Sequence, residues 1–108
     1  MARYLIQASY STQGISDLVK NPQDRSATVR PVVERLGGRI ESFDFAFGDY
    51  DIVAIMEAPD NVSAAALAMA VGAGGALSAY KTTVLIPMEE ALEAMRKAGG
   101  AGYRPPGG

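Results

Sequence analysis

Three residue types with distinctive chemistry are missing: the 108 residues include no cysteine, no histidine and no tryptophan. The lack of cysteine excludes disulfides, thiol catalysis and zinc–thiolate sites. The lack of histidine removes the most common general base, the most common metal and haem ligand, and every catalytic triad built on an imidazole. We therefore expect no metal site and no cofactor. Any proton transfer would depend on an aspartate or tyrosine with a shifted pKa.

Positive charge is also scarce, since ten lysines and arginines face twelve acidic residues for a net charge of −2. Arg25, Arg30, Arg35 and Arg39 are interleaved with acids and form no basic face, which argues against nucleic-acid binding. No secretory signal follows Met1, and the uncharged stretch 61–80 is too rich in alanine and glycine to favour a bilayer. These features predict a cytoplasmic protein with no nucleic-acid or membrane partner.

Apolar residues are plentiful, at 48% of the chain. A chain of this length makes one small domain, and no repeat or internal linker divides it. We assign residues 1–100 to this single domain. The glycine- and proline-rich residues 101–108 are typical of a disordered tail.

A β-hairpin is predicted around the segment 48–51, Gly-Asp-Tyr-Asp. Before it, phenylalanines alternate with smaller or polar residues over 43–47, and after it the run 50–57 is β-branched and apolar. Gly48 and Asp49 favour a turn, because glycine accepts positive φ and aspartate bonds its own backbone. The segment therefore predicts a tight connection between two antiparallel strands.

The other elements follow from periodicity and from end signals. Asn21 and Pro22 resemble a helix start, so a helix is expected from there to Leu36. Pro31 either kinks this helix or falls in the first turn of one that restarts near Thr28. Before this helix we expect a strand over 4–10, a turn over 11–14 and a short helix over 15–20, and after it a left-handed cap at Gly37-Gly38. Beyond the hairpin we expect a helix over 62–71 capped by Asp60 or Asn61. A strand over 77–86 and a helix over 88–98 follow.

This order is β-α-β-β-α-β with an added C-terminal helix, which predicts an α+β, ferredoxin-like fold. Its antiparallel sheet has four strands, with both main helices on one face. Val53 and Ile55 alternate with equally apolar neighbours, so both faces of the third strand need cover. We expect a two-fold dimer packed sheet to sheet, and the competing account places the C-terminal helix over the uncovered face.

Six segments, in this order and at these spacings, resemble the GYD-domain family, a small bacterial family. They are Gln13-Gly14-Ile15, Arg25, Gly37-Gly38, Gly48-Asp49-Tyr50-Asp51, Glu57-Ala58-Pro59-Asp60 and Lys81-Thr82-Thr83. The resemblance covers roughly residues 4 to 90. It implies a dimeric α/β-barrel, and hence a homodimer or higher homo-oligomer. It implies no particular activity, since the family is functionally uncharacterised.

Such a fold offers two possible sites for a ligand: the cleft between the sheet and its helices, and the space between paired sheets. Several candidate anchors also have structural explanations. Tyr10 and Tyr50 are typical of core-edge aromatics, Arg25 of a solvated helix face, and Lys81 of a protected edge strand. The candidate anchors are Gln7, Tyr10, Arg25, Asp44, Tyr50, Asp51 and Lys81.

Three functions are compatible with these features. The one we favour is a non-catalytic oligomeric domain that binds a small molecule or a protein partner. The second is a cofactor-independent monooxygenase or isomerase, which rests on analogy of fold alone. The third is a structural assembly protein.

Overall fold

The computed structural model describes residues 1–107, which contain four strands and four helices. The strands make one antiparallel sheet in the order β2-β3-β1-β4. This confirms the expected ferredoxin-like α+β fold. None of the helices in the described chain has the length and apolarity needed to span a membrane. The elements are β1 (Ala2–Tyr10), α1 (Thr12–Lys20), α2 (Ser26–Arg35), β2 (Arg39–Phe45), β3 (Ile52–Ala58), α3 (Asn61–Ala73), β4 (Leu77–Leu85) and α4 (Met88–Gly99).

The core lies between one face of the sheet and helices α2 and α3. Alternate residues of β1 and β3 point toward the helices, as period-two strands require. Val33 of α2 and Leu67 of α3 meet them there. The buried strand residues are Tyr4, Ile6 and Ala8 on β1, paired with Met56, Ala54 and Ile52 on β3.

The opposite face of the sheet, which carries Leu5, Val53 and Ile55 and is called the open face below, is only partly buried. Helix α4 does not bury its own apolar stripe there, because Met88 and Met95 are 71% and 60% exposed. The Cα radius of gyration is 17.5 Å, and the longest dimension is 59 Å. A compact domain of about 100 residues has a radius of about 13 Å. The described chain therefore leaves a sheet face and an amphipathic helix unpaired.

The segment between β1 and α2 differs from the expectation. The predicted turn at 11–14 is the first turn of α1, since Ser11 Oγ accepts a hydrogen bond from the Gly14 N–H at 3.0 Å. Asn21 ends α1, with its N–H donating to the Asp17 carbonyl at 2.9 Å. The prediction of a helix start at Asn21 was therefore wrong, because Pro22 here follows a helix end.

Helix α2 begins at Ser26, where Asp24 Oδ1 accepts from the Ser26 N–H at 2.9 Å. Pro31 consequently lies inside α2 rather than in its first turn. The helix ends as predicted. Gly37 has φ of +84°, its N–H donates to the Glu34 carbonyl, and the Gly38 N–H donates to the Val33 carbonyl, both at 2.9 Å. This pair of bonds is a Schellman cap.

The β2–β3 hairpin is present but wider than predicted. Residues 46–51 form its loop, since β2 ends at Phe45 and β3 begins at Ile52. Gly48 is absent from the positive-φ residues of the described chain, so its conformational freedom does not make the turn. Asp51 closes the loop instead: its carbonyl accepts from the Ala46 N–H at 2.6 Å, and its N–H donates to the Ala8 carbonyl at 2.9 Å.

Two glycines allow backbones to approach closely. A Cβ at Gly14 would clash with the carbonyl oxygen of Ala76, which precedes β4. A Cβ at Gly38 would clash with the carbonyl oxygen of Glu57 on β3. These contacts hold α1 and the start of β2 against the sheet.

The C-terminal residues 101–107 are exposed and contain no helix or strand. The predicted disordered tail covers 101–108, and Gly108 lies outside the described residues. Disorder of this segment stays a prediction.

Candidate ligand-binding site

A cavity of about 290 Å³ lies between the covered face of the sheet and helices α2 and α3. It has roughly twice the volume of the engineered cavity of about 150 Å³ that binds one benzene. Strand alternation supplies its floor and the apolar stripes of the two helices supply its roof. Its apolar lining includes Ile6, Ala8, Val29, Val32, Phe43, Ile52, Met56, Leu67 and Val71.

One end of the cavity is polar. Tyr10 ends β1, Arg25 is the residue before α2, and Thr28 lies in the first turn of α2; all three line the cavity. Tyr10 and Arg25 are partly exposed and Thr28 is exposed, so this end opens to solvent. The site is therefore an apolar chamber with a polar mouth, the usual construction of a small-molecule site.

Two hydrogen bonds orient the guanidinium of Arg25 at the mouth. Its Nη1 donates to Gln23 Oε1 at 3.0 Å and to Thr28 Oγ1 at 3.4 Å. The ion pairs found among residues 1–107 join Arg3 to Glu41, Arg39 to Glu57, and Arg96 to Glu93, and none of them includes Arg25. Arg25 therefore contributes a positive charge with no carboxylate bound to it in the described chain.

Tyr10 is a hydrogen-bond donor at neutral pH. Partial burial raises the pKa of its phenol, the positive charge of Arg25 lowers this pKa to a lesser degree, and the negative charge of Asp51 raises it. Asp51 itself is engaged by the backbone, because its Oδ2 accepts from the Tyr10 N–H at 2.9 Å. Asp51 thus holds the end of β1 against the hairpin loop and supports Tyr10 rather than lining the cavity.

Tyr80 lines the cavity from β4, and its hydroxyl has no hydrogen-bond partner among the described residues. Burial raises the pKa of this phenol to about 12, and the nearby Thr82 opposes the shift without reaching hydrogen-bonding geometry. A buried hydroxyl left unpaired costs about 1–3 kcal/mol.

Sequence reasoning did not include Tyr80 or Thr28 among the candidate anchors. Strand alternation could have placed Tyr80 in the cavity. Tyr80 neighbours the exposed Lys81, and its pairing with Ala8 puts it on the covered face of the sheet. Only the position of α2 over the sheet brings Thr28 to the mouth.

The seven candidate anchors fall into separate groups. Tyr10 and Arg25 line the cavity, and Asp51 is bonded to Tyr10. Tyr50 is partly buried in the hairpin loop and does not line the cavity. The other three anchors, Asp44, Gln7 and Lys81, lie on the open face. Together with Val53 they form one row across all four strands, in the order Asp44, Val53, Gln7 and Lys81.

The sequence profile of the GYD domain matches residues 4–95 of the 108. No curated protein is similar enough to the chain to count as a relative. Several segments that carried the resemblance have structural roles here: Gly14 and Gly38 allow close backbone contacts, Asp51 closes the hairpin, and Asp60 caps α3. Since the profile covers most of its length, the chain belongs to the GYD domain family.

Proposed function

We propose that this GYD-domain protein binds a small, largely apolar molecule in the cavity between its sheet and helices, and that it does so without catalysis. The observation that supports this function is the cavity itself. It measures about 290 Å³, is apolar over most of its lining, and has the polar residues Tyr10, Arg25 and Thr28 close to one another. Ligand sites combine an apolar chamber with a few polar anchors in this way.

The chemistry of the lining favours binding over turnover. Among the described residues that line the cavity, the ionisable ones are Tyr10, Arg25 and Tyr80. Arginine keeps its proton in proteins. Both phenols have raised pKa values, so neither is a base at neutral pH. Asp44, the carboxylate that a proton-transfer mechanism would use, lies on the other face of the sheet.

A homodimer is part of this proposal. The open face presents Leu5, Val53 and Ile55 only partly buried, and sheets cover such surfaces by stacking about 10 Å apart. A second copy of the chain has the same surface to cover, so an isologous two-fold interface serves both copies. Each protomer keeps its own cavity, because the cavity lies on the opposite face from the interface.

The proposal is tested by thermal shift with a library of small apolar acids, alcohols, amides and amines. A compound that binds the folded protein raises its melting temperature. Ala70 lines the cavity, and Ala65 lies on the same helix, is exposed and does not line it. We expect A70F to fill part of the cavity and abolish the shift, and A65F to retain it.

Circular dichroism of both variants verifies that each is folded. If no compound stabilises the wild type, or if A70F responds as A65F does, the cavity is not the binding site.

A further inference from the structure

We propose that the ligand is a small apolar monoanion, whose carboxylate or similar anionic group is held at the mouth by Arg25 and Tyr10. This inference rests on the function proposed above and names the class of molecule that the cavity takes. It depends on three features of the cavity: unused donors at the mouth, an arginine there without an ion pair, and the apolar character of the rest of the lining.

The unused donors belong to the guanidinium of Arg25. Of its three nitrogens, only Nη1 makes hydrogen bonds within the described chain, to Gln23 and Thr28. The Nε and Nη2 atoms form the other edge of the planar group, and their N–H donors are unengaged there. Such an edge matches the two oxygens of a carboxylate. The bonds from Nη1 hold the group in one orientation, which reduces the ordering required when a ligand binds.

The positive charge of Arg25 is available to an anion at the mouth. Arg25 affects the ionisation of the Tyr10 phenol more strongly than Asp51 does. Asp51 accepts a hydrogen bond from the Tyr10 N–H, and Asp24 accepts one from the Ser26 N–H at the start of α2. Both carboxylates are thus held by backbone donors, and neither forms an ion pair with Arg25.

Tyr10 supplies a second donor. Its phenol keeps its proton at neutral pH, and its hydroxyl makes no hydrogen bond to a described residue of the chain. The first amide of α2 is already bonded to Asp24, so the helix terminus does not provide the binding group. Recognition of the anion thus depends on two side chains, Arg25 and Tyr10.

The rest of the chamber selects an apolar body for the ligand. Away from the mouth, the lining side chains are aliphatic and aromatic, and the unpaired hydroxyl of Tyr80 adds one neutral polar group. A second charge placed there would be desolvated without a partner of opposite charge. A medium-chain fatty acid or an aromatic carboxylate of one or two rings fits both the volume and this polarity.

Isothermal titration of matched probes tests the inference. Octanoate, octanol and octylamine share one apolar chain and differ in head group, and 2-naphthoate with 2-naphthylmethanol forms a second pair of different shape. For the wild type, we expect each carboxylate to bind about tenfold or more tightly than its neutral partner, as a charge-assisted hydrogen bond predicts. R25Q should remove that advantage, because it lowers the affinity for octanoate about tenfold more than the affinity for octanol.

The control variant is R30Q. It removes an exposed arginine of α2, and Arg30 does not line the cavity. It should bind every probe as the wild type does. Equal affinity of carboxylates and neutral probes, tighter binding of octylamine, or equal octanoate affinity in R25Q and R30Q would overturn the anion inference. So would the failure of both carboxylates to bind. The proposed function survives each of these results as long as some compound stabilises the wild type and loses that effect in A70F.

Discussion

Two tyrosines on the covered face of the sheet have opposite hydrogen-bonding states. The hydroxyl of Tyr4, whose residue is 1% exposed, donates to Asn61 Oδ1 at 2.7 Å and so ties β1 to the first residue of α3. The hydroxyl of Tyr80 is buried without a partner among residues 1–107. The same chemical group is therefore stabilising at one position and destabilising at the other, because its net contribution depends on whether the lost water is replaced.

The substitutions Y4F and Y80F measure this difference. We expect Y4F to lower the free energy of unfolding by about 0.5–1.5 kcal/mol, because it removes a hydrogen bond and leaves the Asn61 oxygen unpaired. Y80F should leave that free energy unchanged or raise it by about 1 kcal/mol, since it removes an unsatisfied hydroxyl. Urea denaturation with a constant m-value provides the comparison. A larger loss in Y80F than in Y4F would show that the Tyr80 hydroxyl has a partner in solution.

Helix α3 has few stabilising features of its own, and one residue before it fixes where it starts. Its residues from Asn61 to Ala73 include no charged side chain, so it gains nothing from ion pairs along its length. Asp60 provides the start: its Oδ1 accepts from the Ser63 N–H at 2.9 Å. Burial of Ala64 and Leu67 against the sheet then supplies the tertiary stabilisation that such a helix needs.

The cap at Asp60 predicts a pH dependence of stability. The hydrogen bond from the Ser63 N–H, and then the nearby Ser63 hydroxyl, lower the pKa of Asp60 below its usual value. A carboxyl whose pKa is lowered on folding stabilises the protein above its unfolded pKa, near 4, and this contribution disappears as the pH falls through the lower folded value.

D60N keeps a capping oxygen but does not titrate. We therefore expect the difference in urea midpoint between wild type and D60N to be constant above about pH 5 and to shrink as the pH is lowered toward 3. The variant E34Q, on the exposed side of α2, controls for loss of one negative charge. A difference that stays the same from pH 6 to pH 3 would rule out this role for the carboxylate.

At the scale of the whole molecule, the row Asp44, Val53, Gln7 and Lys81 places opposite charges on the two edges of the open face. Neither Asp44 nor Lys81 forms an ion pair within the described chain. In the proposed dimer, a two-fold axis parallel to the strands would lay β2 of one protomer over β4 of the other. Asp44 would then face Lys81 of the partner subunit in two symmetric contacts, and Glu57 would lie over Arg3 of the partner subunit.

Charge exchange tests this form of the proposed dimer. D44K or K81D alone should raise the dimer dissociation constant roughly tenfold by putting like charges together, and the double variant should restore it. Sedimentation velocity at micromolar concentration measures the change. A monomeric wild type would contradict the dimer. Weakening by D44K that K81D neither shares nor reverses would place the axis in another direction, such as one that sets Asp44 against Arg39 of the partner subunit. Full retention of dimer by both single variants would contradict an interface across this row.

Much of the fold was predictable from local signals, because side-chain periodicity and end residues act over a few positions. Alternation identified the four strands, Gly37-Gly38 marked the end of α2, and Asp60 marked the start of α3. The prediction of a helix start at Asn21 was wrong because Asn21 lies between two helices, and its residue type fits the end of one as well as the start of the next. The Asn21 N–H completes α1, and Asp24 accepts from the Ser26 N–H where α2 begins.

The sequence by itself determined the class of fold, the apolar character of both sheet faces and the lack of imidazole and thiol chemistry, since each follows from residue type and spacing. The tertiary structure alone decided which polar residues meet. Tyr10 and Arg25 are brought to one cavity mouth, whereas Gln7, Asp44 and Lys81 are placed on the opposite face. The physical reason is that strand register and helix placement are set by contacts between distant segments, and a shift of one residue in register moves a side chain to the other face.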